Sequence, residues 1–300
     1  MKIEKFENKV MELINKKTSA VYDFEFIKAL RKMPWEKWFE SENTFRIRPQ
    51  YLDMIHHWVL SSKLNQVVGL DRFTQRHLIN GTTQTFDESY HRHAEKRLRF
   101  FRGEYAYHRR SFANCKFLED EPLQKNDFVI LSYPFCSTGQ KHIEFEDLVS
   151  RCENLKIPVI VDCAYFGTCH GIHIDLTSPC IESVSFSLSK GIGLGDIRSG
   201  IRYSYFDDNF PIAQQNTYDH TVLAAAKIGI YMMEKFSPDF IPDKYLAAQL
   251  SVCHELGILA TPCMHIALGD SKNWSEYIVD DKFYRIGIRQ AVKARFKKQI

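Results

Sequence analysis

The 300-residue sequence has no long uncharged run. Its longest stretch without Asp, Glu, Lys or Arg is Leu256 to Gly269, 14 residues that include a proline and a histidine. A membrane-spanning helix needs about 20 apolar residues, so a membrane protein is not expected. The opening MKIEKFENKV carries no apolar core of the kind that directs export, so a secreted module is not expected either. No CxxC pair occurs among the eight cysteines (115, 136, 152, 163, 169, 180, 253 and 263), and their spacing suggests no disulfide framework. They read as reduced thiols of a cytoplasmic protein. Cys163, Cys169, His170 and His173 lie close together but lack the tight, repeated pairs of a zinc site, so no metal is expected. An excess of one charge is missing too. Forty Lys and Arg against 37 Asp and Glu leave +3, too little to require a polyanionic partner. There is no internal repeat and no low-complexity tract. What is present is a globular composition, 44% hydrophobic and 26% charged, with length for about two domains of roughly 150 residues each.

Residues 1–70 read as helical and amphipathic, with Trp35, Trp38 and Trp58 among their aromatics. From about Gln75 short apolar runs alternate with helical segments. The runs Phe128–Tyr133, Ile157–Asp162, Ser183–Ser187 and Gly200–Tyr203 are β-branched or aromatic and nearly uniformly apolar, as strands covered on both faces are. Between the first two, Phe145, Leu148, Val149 and Cys152 have helical spacing. Strand, helix and strand in that order make a βαβ crossover, so the expected class is α/β with a mainly parallel sheet flanked by helices. Thr221–Phe236 reads as a long buried helix, and the two prolines of SPDFIPD after it mark a domain boundary. The remainder should hold a helix, a strand near Arg285 and a basic C-terminal helix.

Chemistry concentrates in SLSKGIGLGDIRSG (187–200). A lysine directly after an apolar strand, flanked by serines and followed by glycines, is an unusual place for a surface charge. Burial there would lower its pKa and free its amine to attack a carbonyl. Arg198, beyond the glycine-rich loop, could fold back beside Lys190 and grip a phosphate. A structural lysine in a glycine-rich loop is the alternative. VIVDCAYFG (159–167) ends an apolar strand with Asp162 and places Tyr165 three residues on, at the strand end where open α/β sheets bind ligands. LINGTTQTFDE (78–88) reads as a strand, a Gly-Thr-Thr turn and a helix start, and its N–H groups and the Thr82 and Thr83 hydroxyls suit a phosphate.

In this order, the Gly-Thr-Thr turn, the D-x-A-Y strand end and S-x-S-K-x-x-G-L-x-x-x-R-x-G resemble the fold type I pyridoxal-phosphate enzymes, specifically class I/II aminotransferases. The match covers about residues 76–205. The resemblance implies a large cofactor-binding domain at 76–235 and a small α+β domain built from 1–75 and 236–300. It implies pyridoxal 5'-phosphate held by Lys190 as a Schiff base, Asp162 on the pyridine nitrogen, and Tyr165 on the ring oxygen. Gly81, Thr82, Thr83, Ser187, Ser189 and Arg198 would surround the phosphate. In GEYAYH (103–108), Tyr105 takes the position of the aromatic stacked on the ring, with Tyr107 as the close alternative. In FYRIGIR (283–289), Arg285 fits the substrate-carboxylate arginine better than Arg289, which would share its face four residues on.

The chain also departs from the family. YPFCSTG (133–139) stands where the family has N-P-x-N-P-T-G, so Cys136 replaces an asparagine and Ser137 a proline. A thiol is a weaker donor than an amide, and the tuning of the cofactor changes with it. The expected activity is transamination of an amino acid or amine by a homodimer. Decarboxylation, elimination or oxidation through the same cofactor is the alternative. A rival reading comes from HRHAEKRLRFFRGEYAYHRR (91–110), whose seven Lys and Arg interleaved with aromatics resemble a nucleic-acid face and would imply a larger, anionic substrate. A solvated helix face leading into a strand is the plainer account of it. A protein that binds the cofactor without turnover is the third class.

Overall fold

A computed structural model describes residues 10–39, 46–206 and 209–299. The apolar runs form the centre of a seven-stranded sheet: β1 (Gln75–Ile79), β2 (Arg97–Phe100), β3 (Cys115–Phe117), β4 (Asp127–Ser132), β5 (Val159–Cys163), β6 (Ile181–Ser187) and β7 (Gly200–Ser204). Their spatial order is β1-β7-β6-β5-β4-β2-β3. Only β7 runs antiparallel to its neighbours, β1 and β6; the other pairs are parallel. Every residue of β4 and β5 is buried, as uniformly apolar strands require. The helix Phe145–Leu155 connects them and buries Phe145, Leu148, Val149 and Cys152 against the sheet. Prolines set the strand limits one or two residues away from the sequence reading. Pro134 and Pro158 lack the N–H a ladder needs, so β4 stops before the first and β5 starts after the second.

The strand β2 is hidden in the basic stretch 91–110 because two of its four residues are arginines. Arg97 and Arg99 both pair with Asp127 at the start of β4, at 2.7 and 2.9 Å, and Arg99 is 0% exposed. Arg92 pairs with Glu88, Arg102 with Asp120 and Arg109 with Asp280. Five of the seven basic residues of the stretch are thus matched by carboxylates within the chain. Strand and neutralised helix end are what the stretch provides.

The two ends of the chain meet. Asn15 bridges to Gly287, Lys293 Nζ donates to the Tyr22 carbonyl at 2.8 Å, and Asp23 accepts from Tyr245 and Lys244, each at 2.8 Å. The C-terminal part holds the antiparallel strands β8 (Leu259–Ala260), β9 (Ile266–Leu268), β10 (Ile278–Val279) and β11 (Phe283–Gly287), with helices Phe240–Leu256 and Arg289–Gln299. The strand near Arg285 is β11. The other three are two or three residues long, too short to show a period in sequence. Helix Phe240–Leu256 begins inside SPDFIPD because Pro242 sits in its first turn, where its missing N–H breaks no bond. Arg289 does not share a strand face with Arg285: β11 stops at Gly287 and Arg289 opens the last helix. The helical reading of 1–70 corresponds to helices Phe24–Arg31, Trp35–Phe39 and Ile47–Leu60 but fails at Gln66–Val68, a short strand paired with His173–Asp175; its portions at 1–9 and 40–45 fall outside the described residues. The long helix expected at 221–236 spans Leu223–Met233.

All eight cysteines are free. Cys163 and Cys169 lie in the core while His173 is exposed, and among the described residues no cluster of His, Cys, Asp and Glu is arranged to hold a metal. Among the same residues no helix is long and apolar enough to cross a membrane.

Candidate active site

The carboxyl ends of β1, β2, β4, β5 and β6 open onto one cavity of 510 Å³. Open α/β sheets bind ligands at this edge, because helix N-termini and unpaired loops converge there. Of the residues singled out from sequence, Thr82, Thr83, Tyr105, Cys136, Asp162, Tyr165, Ser187, Ser189, Lys190, Arg198 and Arg285 line it. Gly81 stands immediately behind, at the junction of β1 and the helix Thr82–Arg92.

β6 ends at Ser187, whose hydroxyl accepts from the N–H of Ser189 and starts the short helix Leu188–Gly191. That turn carries Lys190 into the cavity, half-buried, with Nζ 4.2 Å from the centre of the Tyr165 ring. The glycine-rich loop then returns Arg198 to the same end. Its Nε donates to the Asn80 carbonyl at 3.1 Å and its Nη1 reaches Ser189 Oγ at 3.5 Å. Gly81 faces this guanidinium. Its φ is +99°, and a methyl group there would stand 2.6 Å from Arg198 Nη2. No side chain caps the helix Thr82–Arg92, so its first N–H groups lack a capping partner beside an exposed guanidinium. The arrangement fits an anion with several acceptor oxygens, such as a phosphate.

Asp162 is the penultimate residue of β5, 8% exposed, and accepts from the Ala164 N–H at 2.9 Å. Burial raises its pKa above the ordinary carboxylate value, against the lowering effects of Lys190, the Ala164 N–H and the Thr82 hydroxyl. A buried carboxylate in this position needs a cation or an N–H donor from whatever fills the cavity. Tyr165 Oη lies 4.0 Å from Cys136 Sγ. Burial pushes the Cys136 thiol up to about 11, so it is neutral and at most a weak donor. Tyr105, not Tyr107, is the aromatic at the cavity; Tyr107 stands outside its lining and donates to Asp87 at 2.7 Å. Arg285, on β11, reaches across to the Cys136 carbonyl at 3.4 Å, and its Nε is buried with no partner. That orphaned donor leaves a place for a carboxylate. Taken together, the donors and the buried acid match what pyridoxal phosphate presents: a phosphate, a ring nitrogen and a ring oxygen.

Some residues of the site went unnoticed in the sequence. Glu104 and Ser132 line the cavity beside Asp162, and Lys17, Thr18, Ser19, Arg109, Val279 and Asp280 form its rim. Apart from Arg109, the rim residues come from the N-terminal and C-terminal parts of the chain, and no local spacing announces them. His265 packs edge-on against Tyr165, ring centres 4.9 Å apart, with both nitrogens unpartnered. Burial and the nearby Lys190, Arg285 and Arg289 hold its pKa down to about 3, so its imidazole is neutral. Glu104 carries a signal visible only afterwards: an acidic residue next to Tyr105, where the chain has just left β2.

No protein-family model and no curated protein sequence matches the chain. Solved structures do. An aminotransferase from Staphylococcus aureus superposes with a TM-score of 0.62 at 12% identity, covering 94% of this chain and 90% of its own. The histidinol-phosphate aminotransferase from Clostridium acetobutylicum gives 0.59 at 15% identity, covering 94% and 96%. An aromatic aminotransferase from Pyrococcus horikoshii OT3 gives 0.60 at 13%, covering 94% and 93%. The chain has the fold of these aminotransferases over nearly its whole length.

Proposed function

We propose that the protein is a pyridoxal-phosphate-dependent aminotransferase acting at Cα of an amino acid. The observation that carries the reading is Lys190 Nζ held over the Tyr165 ring in the cavity that Asp162 and Arg198 share. Pyridoxal phosphate, when bound, supplies an electron-withdrawing ring that stabilises negative charge developing at Cα. Lys190 would bond the cofactor through its amine and, once released, carry a proton to and from Cα. Asp162 would hold a proton on the ring nitrogen. Arg198, Ser187, Ser189, Thr82, Thr83 and the backbone at Gly81 would hold the phosphate, and Tyr105 would stack on the ring. Tyr165 would donate to the ring oxygen, with the Cys136 thiol beside it as a weaker second donor. Arg285 would take the substrate carboxylate through its planar fork.

Cys136 favours a second reading. With a thiol where an amide is usual, withdrawal at the ring oxygen is weaker, and decarboxylation, elimination or oxidation of an amino acid or amine by the same residues stays as the alternative. The same proposal takes 76–235 as the cofactor-binding unit and joins 1–75 with 236–300 as the smaller one, which the contacts between residues 14–23 and 244–293 support. It takes the working form as a two-fold homodimer in the cytoplasm. Reduction with borohydride followed by peptide mass spectrometry should mark Lys190, and an amino-acid panel with product identification should reveal a keto acid. A label on another lysine would overturn the assignment. Carbon dioxide or ammonia as product would select the second reading.

A further inference from the structure

Glu104 is a second acid in the cavity. It leaves β2 three residues before the helix Tyr107–Ser111 and is 5% exposed. Its Oε1 accepts from the Ser132 N–H at 2.7 Å; its Oε2 accepts from the Ser132 hydroxyl and, at 3.2 Å, from the Tyr105 N–H. Ser132 is the register partner of Asp162 on the adjacent parallel strand. The serine bonded to Glu104 is thus the strand neighbour of Asp162, and both carboxyl residues line the one cavity. Among the described residues, no lysine, arginine or histidine forms an ion pair with Glu104. The charged and titratable groups around it are Asp162 on β5, Cys136 after β4, Lys190 after β6, Arg285 on β11, and Arg109 and Asp280 at the mouth.

Two carboxyls in one buried cavity do not both ionise near neutrality unless a cation compensates them. The compensation here is one-sided. Lys190 stabilises the charge of Asp162, while Glu104 has only hydrogen-bond donors. Burial foremost, with the charge of Asp162 added, moves Glu104 up to about 7. We propose that Glu104 and Asp162 form a carboxyl dyad across the end of adjacent strands, in which Glu104, bonded to Ser132, is a positioning residue that keeps a proton while Asp162 carries the charge. One negative charge is thereby fixed at Asp162. A second charge beside it would compete for any cation the cavity accepts. The use of that charge on a ring nitrogen rests on the proposed function, whereas the dyad is a property of the chain's own side chains.

Infrared difference spectroscopy of the full chain without added cofactor, titrated from about pH 5 to about pH 9, reads the carbonyl stretch of a protonated carboxyl. A band lost near neutrality is expected, and Glu104→Gln should remove it. Asp162→Asn, by deleting the neighbouring charge, should lower the midpoint by about one unit or more. Ser132→Ala deletes a donor to the ionised form and should raise it. These opposite displacements, read in variants whose thermal melts show a folded protein, are what a merely structural glutamate would not produce. If Asp162→Asn does not fold, the upward displacement in Ser132→Ala carries the test. A band that survives Glu104→Gln, or a midpoint that stays in place in a folded neighbour variant, overturns the dyad. Loss of borohydride labelling at Lys190 with this pH response intact would sink the proposed function alone.

Discussion

Gly81→Ala tests the phosphate cradle with a single methyl group. Two separate effects follow from the local geometry. The backbone at Gly81 has φ +99° and ψ 167°, a region that glycine occupies freely and other residues only under strain of about 1–3 kcal/mol. The methyl would also stand 2.6 Å from Arg198 Nη2, and the guanidinium must swing away from the anion site. A charged hydrogen bond lost to a phosphate costs about 1.5–3 kcal/mol, which is roughly a 10- to 100-fold weaker affinity for pyridoxal phosphate. Equilibrium titration with the cofactor reads the second effect, and urea denaturation of the cofactor-free protein reads the first. Gly171→Ala separates them. Gly171 has φ +66° with open space around its Cβ position, so alanine there should cost about 1–2 kcal/mol of stability and no affinity. In an Arg198→Ala background, Gly81→Ala should cost little further affinity, since the group it displaces is gone. Unchanged affinity in a folded Gly81→Ala protein, or an equal loss in Gly171→Ala, would refute the assignment of this turn to phosphate binding.

Asp162→Ala should leave the borohydride label on Lys190 but reduce kcat by about 100- to 1000-fold, the usual loss when a buried electrostatic partner is removed. Turnover near wild type would mean the carboxylate only caps its strand. Arg285→Lys should raise KM for amino acids by about tenfold or more while sparing an amine without a carboxylate; equal effects on both would assign Arg285 to general stability. Arg99→Ala removes one of the two guanidiniums paired with the buried Asp127, leaving Arg97, and should destabilise the protein by about 1.5–3 kcal/mol, read from the urea midpoint. A raised carboxyl pKa means that the folded protein holds a proton the unfolded chain has released. Glu104 therefore contributes stability that is fully present below about pH 4, the unfolded carboxyl value, and lost as pH rises through about 7. Glu104→Gln should flatten that decline in stability–pH curves, and an unaltered decline would count against the cause given.

The buried strands were legible because parallel strands covered on both faces leave an uninterrupted apolar run, as in β4 and β5. β2 was not, since its arginines look like surface charge until Asp127 is seen beside them. Residues of the site were legible where one loop supplies several of them at fixed spacing, as Ser187, Lys190 and Arg198 do. The rim from Lys17 to Ser19 and from Val279 to Asp280 was not, because it arises from closure of the two chain ends over the sheet. The mistaken pairing of Arg289 with Arg285 has the same root. A period of two continues only as long as the strand does, and nothing in FYRIGIR marks the end of β11 before the helix begins.

The glycines around the lysine fix its place through backbone contact, in a chain that shares only 12–15% of its residues with three solved structures of the same fold. Lys190 must sit at a fixed place relative to Tyr165, yet the two residues belong to different strands' loops. Their relative position is set by backbone contact. The turn Phe166–Thr168 lies directly on the helix Leu188–Gly191, where a methyl on Gly167 would stand 2.7 Å from the Gly191 Cα. One strand pair further on, a methyl on Gly200 would stand 2.4 Å from the Phe186 carbonyl oxygen and would force β7 away from β6, carrying Arg198 with it. Packed interiors do not absorb such displacements by small adjustments. The apolar side chains that fill the rest of the sheet can be exchanged for others of similar volume, and the sheet persists. Close backbone approaches allow no such exchange, so Gly167, Gly191 and Gly200 fix the spacing of the cavity wall on which Ser187, Lys190 and Arg198 present their polar groups.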